Sequence, residues 1–165
     1  MRAYQDMVFS TAARLTGDRA QGEDIAQQVF LKAYENFDQI RQMPEAGKWL
    51  RTVARNLALN HLSRYQKRWR LFSALPRAAA DEDAPELEFA APENLLEGIE
   101  DAEHHALVEE ALMRLPEQKR IPLVLYHMEA MSYQEIADRL SISLSKVKTD
   151  IMRARAALVA SLQHE

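Results

Sequence analysis

Apolar residues recur at three- and four-residue spacing along most of the 165-residue chain, the period of helices buried along one stripe. Tyr4, Val8, Ala12 and Leu15 predict a helix over residues 3–16, and Thr16-Gly17-Asp18 ends it and caps the next. The second helix is expected from Arg19 to Asn36, with Ile25, Val29, Ala33 and Phe37 inward. Its other face, Asp24, Gln27, Gln28, Leu31 and Glu35, mixes polar groups with one Leu, and spacing alone favours a solvated surface. Residues 37–47, FDQIRQMPEAG, read as a loop in which Pro44 is a breaker or the first residue of a helical turn. A third helix is expected from Ala46 to Trp69, with Leu50, Val53, Ala54, Leu57 and Leu62 inward. Leu95 to Leu115 forms another, with Leu107, Ala111, Leu112 and Leu115 inward, and Pro116 stops it. The helix from Glu117 to Ala130 contains Pro122, so it either begins near that residue or kinks there.

The most informative stretch is Ser132 to Leu158. Ser132 followed by Glu135 is a capping box, which starts a helix at Tyr133 with Ile136, Ala137 and Leu140 on its apolar side. Ser141-Ile142-Ser143 supplies a tight turn, and Ser143 caps a second helix. There Leu144, Val147, Ile151, Ala154 and Leu158 share one face, leaving Lys146, Lys148, Thr149, Arg153 and Arg155 largely outward. The small Ala137 lets the two helices cross closely, as in a helix-turn-helix, and the basic face suits a major groove. An ordinary helical hairpin with a solvated charged face fits the same spacing. Ser141 must take a left-handed conformation at a position where Gly is usual.

Composition narrows the class. With 47% hydrophobic content, four Gly, six Pro and no alternating β-branched runs, the expected fold is all-α. Two small helical domains are joined by a flexible acidic linker, with bounds 1–72, 73–94 and 95–165. Zero Cys excludes a disulfide framework and Cys-based zinc, and suits a reducing cytoplasm. The amphipathic N-terminal stretch, with Asp6 and Arg14, is not a secretory signal, and no apolar run is long enough for direct membrane insertion. The net charge of −4 is an average over opposites. Residues 47–80 hold basic side chains and no acid, residues 81–113 hold acids and no Lys or Arg, and the last hairpin is basic again.

The outer side of the third helix places Arg51, Arg55, Asn56, Asn60, Arg64, Lys67 and Arg68 among Trp49, His61, Tyr65 and Trp69. Cations for phosphates and flat rings for unstacked bases suit single-stranded nucleic acid, where each stacked base contributes about 1–3 kcal/mol. Burial in a core is the alternative for both Trp residues. Enzymatic chemistry finds no support: the glycines are isolated, no HExxH is present, and no Ser, His and Asp are arranged around a nucleophile. Asp101, His104 and His105 have metal-ligand spacing, but in a run of acids a solvated face is the plainer reading. No catalytic residue, metal or cofactor is expected.

Two blocks carry a resemblance. RLTGDRAQGEDIAQQVFLKAYENF and KWLRTVARNLALNHLSRYQKR resemble region 2 of bacterial sigma factors of the extracytoplasmic-function (ECF) group. LMRLPEQKRIPLVLYHMEAMSYQEIADRLSISLSKVKTDIMRARAAL resembles region 4 of the same group. A helix-turn-helix alone also fits a dimeric transcriptional regulator, which would bind a palindrome without polymerase. Both blocks in this order point to the sigma factor.

The resemblance implies a subunit that binds core RNA polymerase, recognises promoter DNA and helps open it at the minus-ten element. It implies that Asp24, Gln27, Gln28, Leu31 and Glu35 contact polymerase, reversing the solvated reading of that face. It puts Lys48, Trp49, Arg55, Asn56, Asn60, His61 and Arg64 on the minus-ten element, with residues 38–47 holding a flipped base of the non-template strand. It puts Ser145, Lys146, Lys148, Thr149 and Arg153 on the minus-thirty-five duplex. Asn60 stands where the family commonly has Asp, and Pro122 lies in a helix that usually lacks Pro. An anti-sigma factor, often membrane-tethered, is the implied regulatory partner. The linker of about 22 residues spans roughly 25 Å as a coil and about 70 Å extended. The promoter elements lie more than two duplex turns apart, roughly 70 Å, so the linker is stretched in the working complex. In the free protein its acids, Asp81, Glu82, Asp83, Glu86 and Glu88, are expected to fold back on the basic faces.

Overall fold

Helices account for all the regular structure of the described chain, in the order α1 (Arg2–Thr16), α2 (Arg19–Glu35), α3 (Phe37–Ile40), α4 (Ala46–Phe72), α5 (Ala102–Arg114), α6 (Glu117–His127), α7 (Tyr133–Leu140) and α8 (Leu144–Gln163). The computed structural model describes residues 2–72 and 102–163, with side chains from 4 to 63 and from 105 to 163. The expected linker with its acids, the start of the helix expected at Leu95, and Asp101 lie outside the described residues. So do the side chains of Arg64, Tyr65, Lys67, Arg68, Trp69 and His104.

In the N-terminal group α1 packs against α2 and α4. Val8, Ala12 and Leu15 of α1 meet Ile25 and Val29 of α2 and Leu50, Ala54, Ala58, Leu59 and Leu62 of α4. The first two helices cross closely because a Cβ at Gly22 would lie 2.9 Å from that of Ala13. Asp18 caps α2, its carboxylate accepting from the N–H of Ala20 at 2.8 Å and of Gln21 at 3.3 Å. Phe37, expected inward, is exposed: the chain leaves helical geometry at Asn36 (φ −110°, ψ 22°), so the stripe does not continue into α3. That short helix also occupies part of the stretch expected to be loop. Tyr4 likewise lies at the surface rather than inside.

In the C-terminal group α8 crosses α5, α6 and α7. Val108, Leu112, Leu123, Val124, Leu125, Ile136, Val147, Ile151 and Leu158 fill its interior. Leu107 and Leu144, read as inward, sit at the edge and are exposed. Helix α6 runs unbroken from Glu117 through a buried Pro122. Burial of the ring offsets the backbone hydrogen bond that proline cannot make.

The hairpin follows its local chemistry. Ser132 and Glu135 form the reciprocal capping box, and Ser141 takes the left-handed conformation (φ 56°, ψ 46°). Ser143 caps α8 by accepting from the Lys146 N–H at 3.1 Å. Ala130, also left-handed at φ 53°, turns the chain just before Ser132. Arg155 departs from its expected outward position. Its Nε donates to His127 Nε2 at 3.0 Å, and its guanidinium lies 5.6 Å from the Tyr126 ring centroid. Tyr126 in turn stacks on Tyr133 with centroids 4.6 Å apart, so α6, α7 and α8 are tied together on one side.

The two groups share one apolar cluster and meet where α1 touches α5 and α6. Arg120 of α6 is buried there. Its Nε donates to the Arg14 carbonyl at 3.0 Å and its Nη1 to the Leu115 carbonyl at 2.8 Å.

Two predictions follow from these positions. Gly17 has φ +72°, and a Cβ there would lie 2.4 Å from Arg120 Nη2. Gly17→Ala adds left-handed strain and overpacking, about 2–4 kcal/mol together. The expected fall in the thermal midpoint is about 5–10 °C, and an unchanged midpoint would show that Arg120 is not seated against Gly17.

The second concerns His127, whose pKa is lowered by burial and then by Arg155. The unfolded imidazole takes its proton near 6.5 and the folded one only at lower pH. Stability is therefore present above that value and lost as pH falls through the folded pKa. Glu129 has the opposite sign. Burial raises its carboxyl above 4.5, so its contribution is present below that value and lost as pH rises through the raised pKa. His127→Gln keeps an acceptor for Arg155 and does not titrate. Its melting temperature should fall less than the parent's between about pH 7.5 and about pH 5. Equal falls would remove His127 from this account.

Candidate nucleic-acid interface

The outward side of α4 is built by the same helical period that buries Leu50, Ala54 and Ala58. Lys48, Arg51, Asn56 and Asn60 are exposed along it, while Arg55 and His61 are half-buried. Lys48 pairs with Glu45 one turn earlier at 2.5 Å. Asn60 Oδ1 accepts from Arg139 Nη2 at 3.3 Å, which joins α4 to α7. Trp49 is partly buried and packs against the apolar cluster, so its ring is shared between core and surface rather than forming a fully open stacking platform. These side chains lie on one continuous helix, which gives phosphates and splayed bases a straight cationic track.

On α8 the exposed residues are Ser145, Lys146, Lys148 and Arg153, and Thr149 is half-buried beside them. They lie opposite buried Val147, Ile151 and Ala154, so packing of one face aims the other outward. Lys146 is tied to Asp150 at 3.0 Å, which offsets part of its charge, and Lys148 and Arg153 are the plainer cations. Arg155 is turned away toward α6.

Asp24, Gln27, Gln28, Leu31 and Glu35 are all exposed on α2, opposite Ile25 and Val29. Leu31 is 61% exposed, Tyr34 80% and Phe37 53%. Tyr34 was not singled out from the sequence and Phe37 was placed inward. The spacing of three between Leu31 and Tyr34, off the Ile25–Val29 stripe, is the signal for Tyr34, whereas the exposure of Phe37 follows from the break at Asn36. A run of large apolar side chains in an acidic and amide setting is a surface suited to a protein partner.

Among the described residues no group of three or more His, Cys, Asp or Glu could hold a metal ion. His105 is described, but Asp101 and the His104 side chain are not, so the sequence cluster has no geometry to report. No described helix is long and apolar enough to cross a membrane.

Family comparison gives these faces a context. Sigma-70 region 2 matches residues 1–68, and Sigma-70, region 4 matches residues 105–158. The RNA polymerase sigma-H factor of Pseudomonas aeruginosa is 31% identical, over 97% of this chain and 82% of the relative. The ECF RNA polymerase sigma-E factor of Escherichia coli is 30% identical, over 97% of this chain and 83% of its own. The ECF RNA polymerase sigma factor SigW of Bacillus subtilis is 26% identical, over 97% and 85%. A solved structure of the sigma factor RpoE with the anti-sigma factor NepR from Bartonella quintana has the same fold. Its TM-score is 0.51 at 19% identity, covering 98% of this chain and 92% of that one. The two regions in order, and relatives at this identity over most of their length, show that the chain belongs to the ECF RNA polymerase sigma factors of the sigma-70 family.

Proposed function

We propose that this chain is a promoter-recognition subunit of RNA polymerase, with no catalytic activity of its own. The observation that supports it most is the presence of two separate outward cationic helices, α4 and α8, each within a different sigma region. Residues 1–72 act as the polymerase- and minus-ten-binding domain, 73–94 as the connector, and 95–165 as the minus-thirty-five domain. Asp24, Gln27, Gln28, Leu31 and Glu35, joined by Tyr34 and Phe37, form the polymerase face. Lys48, Arg55, Asn56, Asn60, His61 and Arg64 hold the melted non-template strand, with Trp49 bracing them from the core side. Ser145, Lys146, Lys148, Thr149 and Arg153 read the minus-thirty-five duplex. No nucleotide hydrolysis is needed, because melted DNA can be trapped by phosphate contacts and base stacking. An anti-sigma factor is its regulator, in line with the partner of the structural neighbour, and both act beside polymerase in the cytoplasm.

The test is reconstitution with core polymerase and promoter DNA. Co-elution with the core and specific transcripts are expected, and loss of either sinks this reading. Leu31→Asp should weaken core binding by tenfold or more, since about 1.4 kcal/mol of buried apolar contact is at stake. Arg153→Ala and Lys148→Ala should weaken promoter binding and lower the salt slope by about 1 each while core binding stays intact. Loss of core binding in either α8 variant would show that the labour is not divided in this way.

A further inference from the structure

Helix α8 carries a carboxylate on its core stripe. Asp150 is 7% exposed and lies on the side of α8 that also buries Val147, Ile151, Ala154 and Leu158. Both of its oxygens face the Lys146 ammonium one turn earlier. Oδ1 accepts from Nζ at 3.3 Å, and Oδ2 stands 3.0 Å from it. The Lys146 side chain is half-exposed, so the pair runs from the edge of the core to the outward face of α8.

Stability is a poor reason for this pair. Lys146 sits in the first turn of α8, three residues after the Ser143 cap, where the helix dipole disfavours a cation. Lys followed by Asp at i,i+4 is the weaker order of the two. Burying a carboxylate costs desolvation that a half-exposed partner only partly offsets. An apolar side chain at position 150 would continue the stripe with none of these costs. What the pair supplies is direction. A lysine on its flexible stem is a mobile point charge that follows any nearby phosphate. Held by both oxygens of a buried carboxylate, the Lys146 ammonium keeps one place and still has N–H donors for a group outside. Residues at the N-terminal end of a recognition helix are the ones that reach base edges. A lysine N–H there fits the O6 and N7 acceptors of guanine.

We propose that Asp150 is a positioning residue for base readout: it holds the Lys146 ammonium toward a guanine edge in the major groove. The proposal rests on the reading of α8 as the helix that enters the minus-thirty-five duplex. Asp150 itself does not touch DNA. Its charge weakens the attraction of Lys146 for duplex of any sequence while fixing where that attraction acts, so affinity and selectivity move in opposite directions.

The test uses holoenzyme reconstituted from the full chain and core polymerase, with a library of promoter-length duplexes of randomised sequence. Sequencing the bound fraction gives the base preference at each position. The parent should prefer guanine by about tenfold at one position of the upstream element, and Lys146→Ala should flatten that position. Asp150→Asn keeps the size and removes the charge. It should reduce the same preference to about twofold and leave the other positions unchanged. Its affinity for the unselected library should rise about two- to fivefold, with a salt slope steeper by up to about 1. In the Lys146→Ala background Asp150→Asn should alter no base preference, a coupling that a merely structural role would not produce. Asp150→Ala, a better helix former that needs no partner, should match Asp150→Asn and melt within about 3 °C of the parent. A larger fall in both variants would make the pair structural and overturn the proposal. So would an Asp150→Asn chain that keeps the full guanine preference or binds every sequence more weakly. If Lys146→Ala changes no position at all, the reading of α8 falls and the proposal with it. If Lys146→Ala flattens a position that Asp150→Asn leaves intact, the positioning role alone is overturned.

Discussion

Arg120 is the joint on which the arrangement depends. A guanidinium 6% exposed would be costly if isolated, but this one donates to the carbonyl of Arg14 at the last turn of α1 and to that of Leu115 before α6. The C-terminal end of a helix carries partial negative charge, so α1 offers the cation a dipole as well as an acceptor. Burial lowers the Arg120 pKa and Glu117 beside it works the other way. Gly17, left-handed and without a Cβ, leaves the space that the guanidinium occupies. Because α8 rests on α6, seating α6 on α1 also sets where the recognition-like helix stands relative to α4.

Cations serve two separate ends in this chain. Arg14, Arg120 and Arg155 are spent on internal geometry: an ion pair to α5, a helix-end carbonyl, and a His–Tyr platform. Arg51, Lys148 and Arg153 stay exposed and available to a polyanion. A net charge of −4 is compatible with DNA binding because charge acts over about a Debye length and not over the whole molecule. The same logic limits the α8 face, where Asp150 already engages Lys146.

The apolar run of Leu31, Tyr34 and Phe37 and the joint with the C-terminal group lie on different elements, since one is carried by α2 and α3 and the other chiefly by α1. That joint combines the shared apolar cluster with buried polar groups, and one carboxyl oxygen of Glu129 has no hydrogen-bond partner in it.

Much of the fold was legible because it is local. Asp18 and Ser132 cap by reaching two or three residues along the chain, Ser143 does the same for α8, and the stripes of α1, α7 and α8 follow the helical period. The outward positions of Lys148, Arg153, Asn56 and Asn60 come from that same period. Phe37 was misplaced because one non-helical residue at Asn36 rotates everything after it. Arg155 was misplaced because a ring on α6 and an imidazole beside it compete with water for its guanidinium, and nothing in α8 itself records them. Trp49 was ambiguous because the residue sits at the edge of the core, half-buried, where spacing alone favours neither reading. The sequence by itself determined the helices, their caps and which of their faces carry charge, since these depend on residues a few positions apart. Only the tertiary structure decided that Glu129 meets Thr11, that Arg120 closes on Arg14, and which cations remain free for DNA. Those contacts join residues more than a hundred positions apart, and no local spacing encodes them.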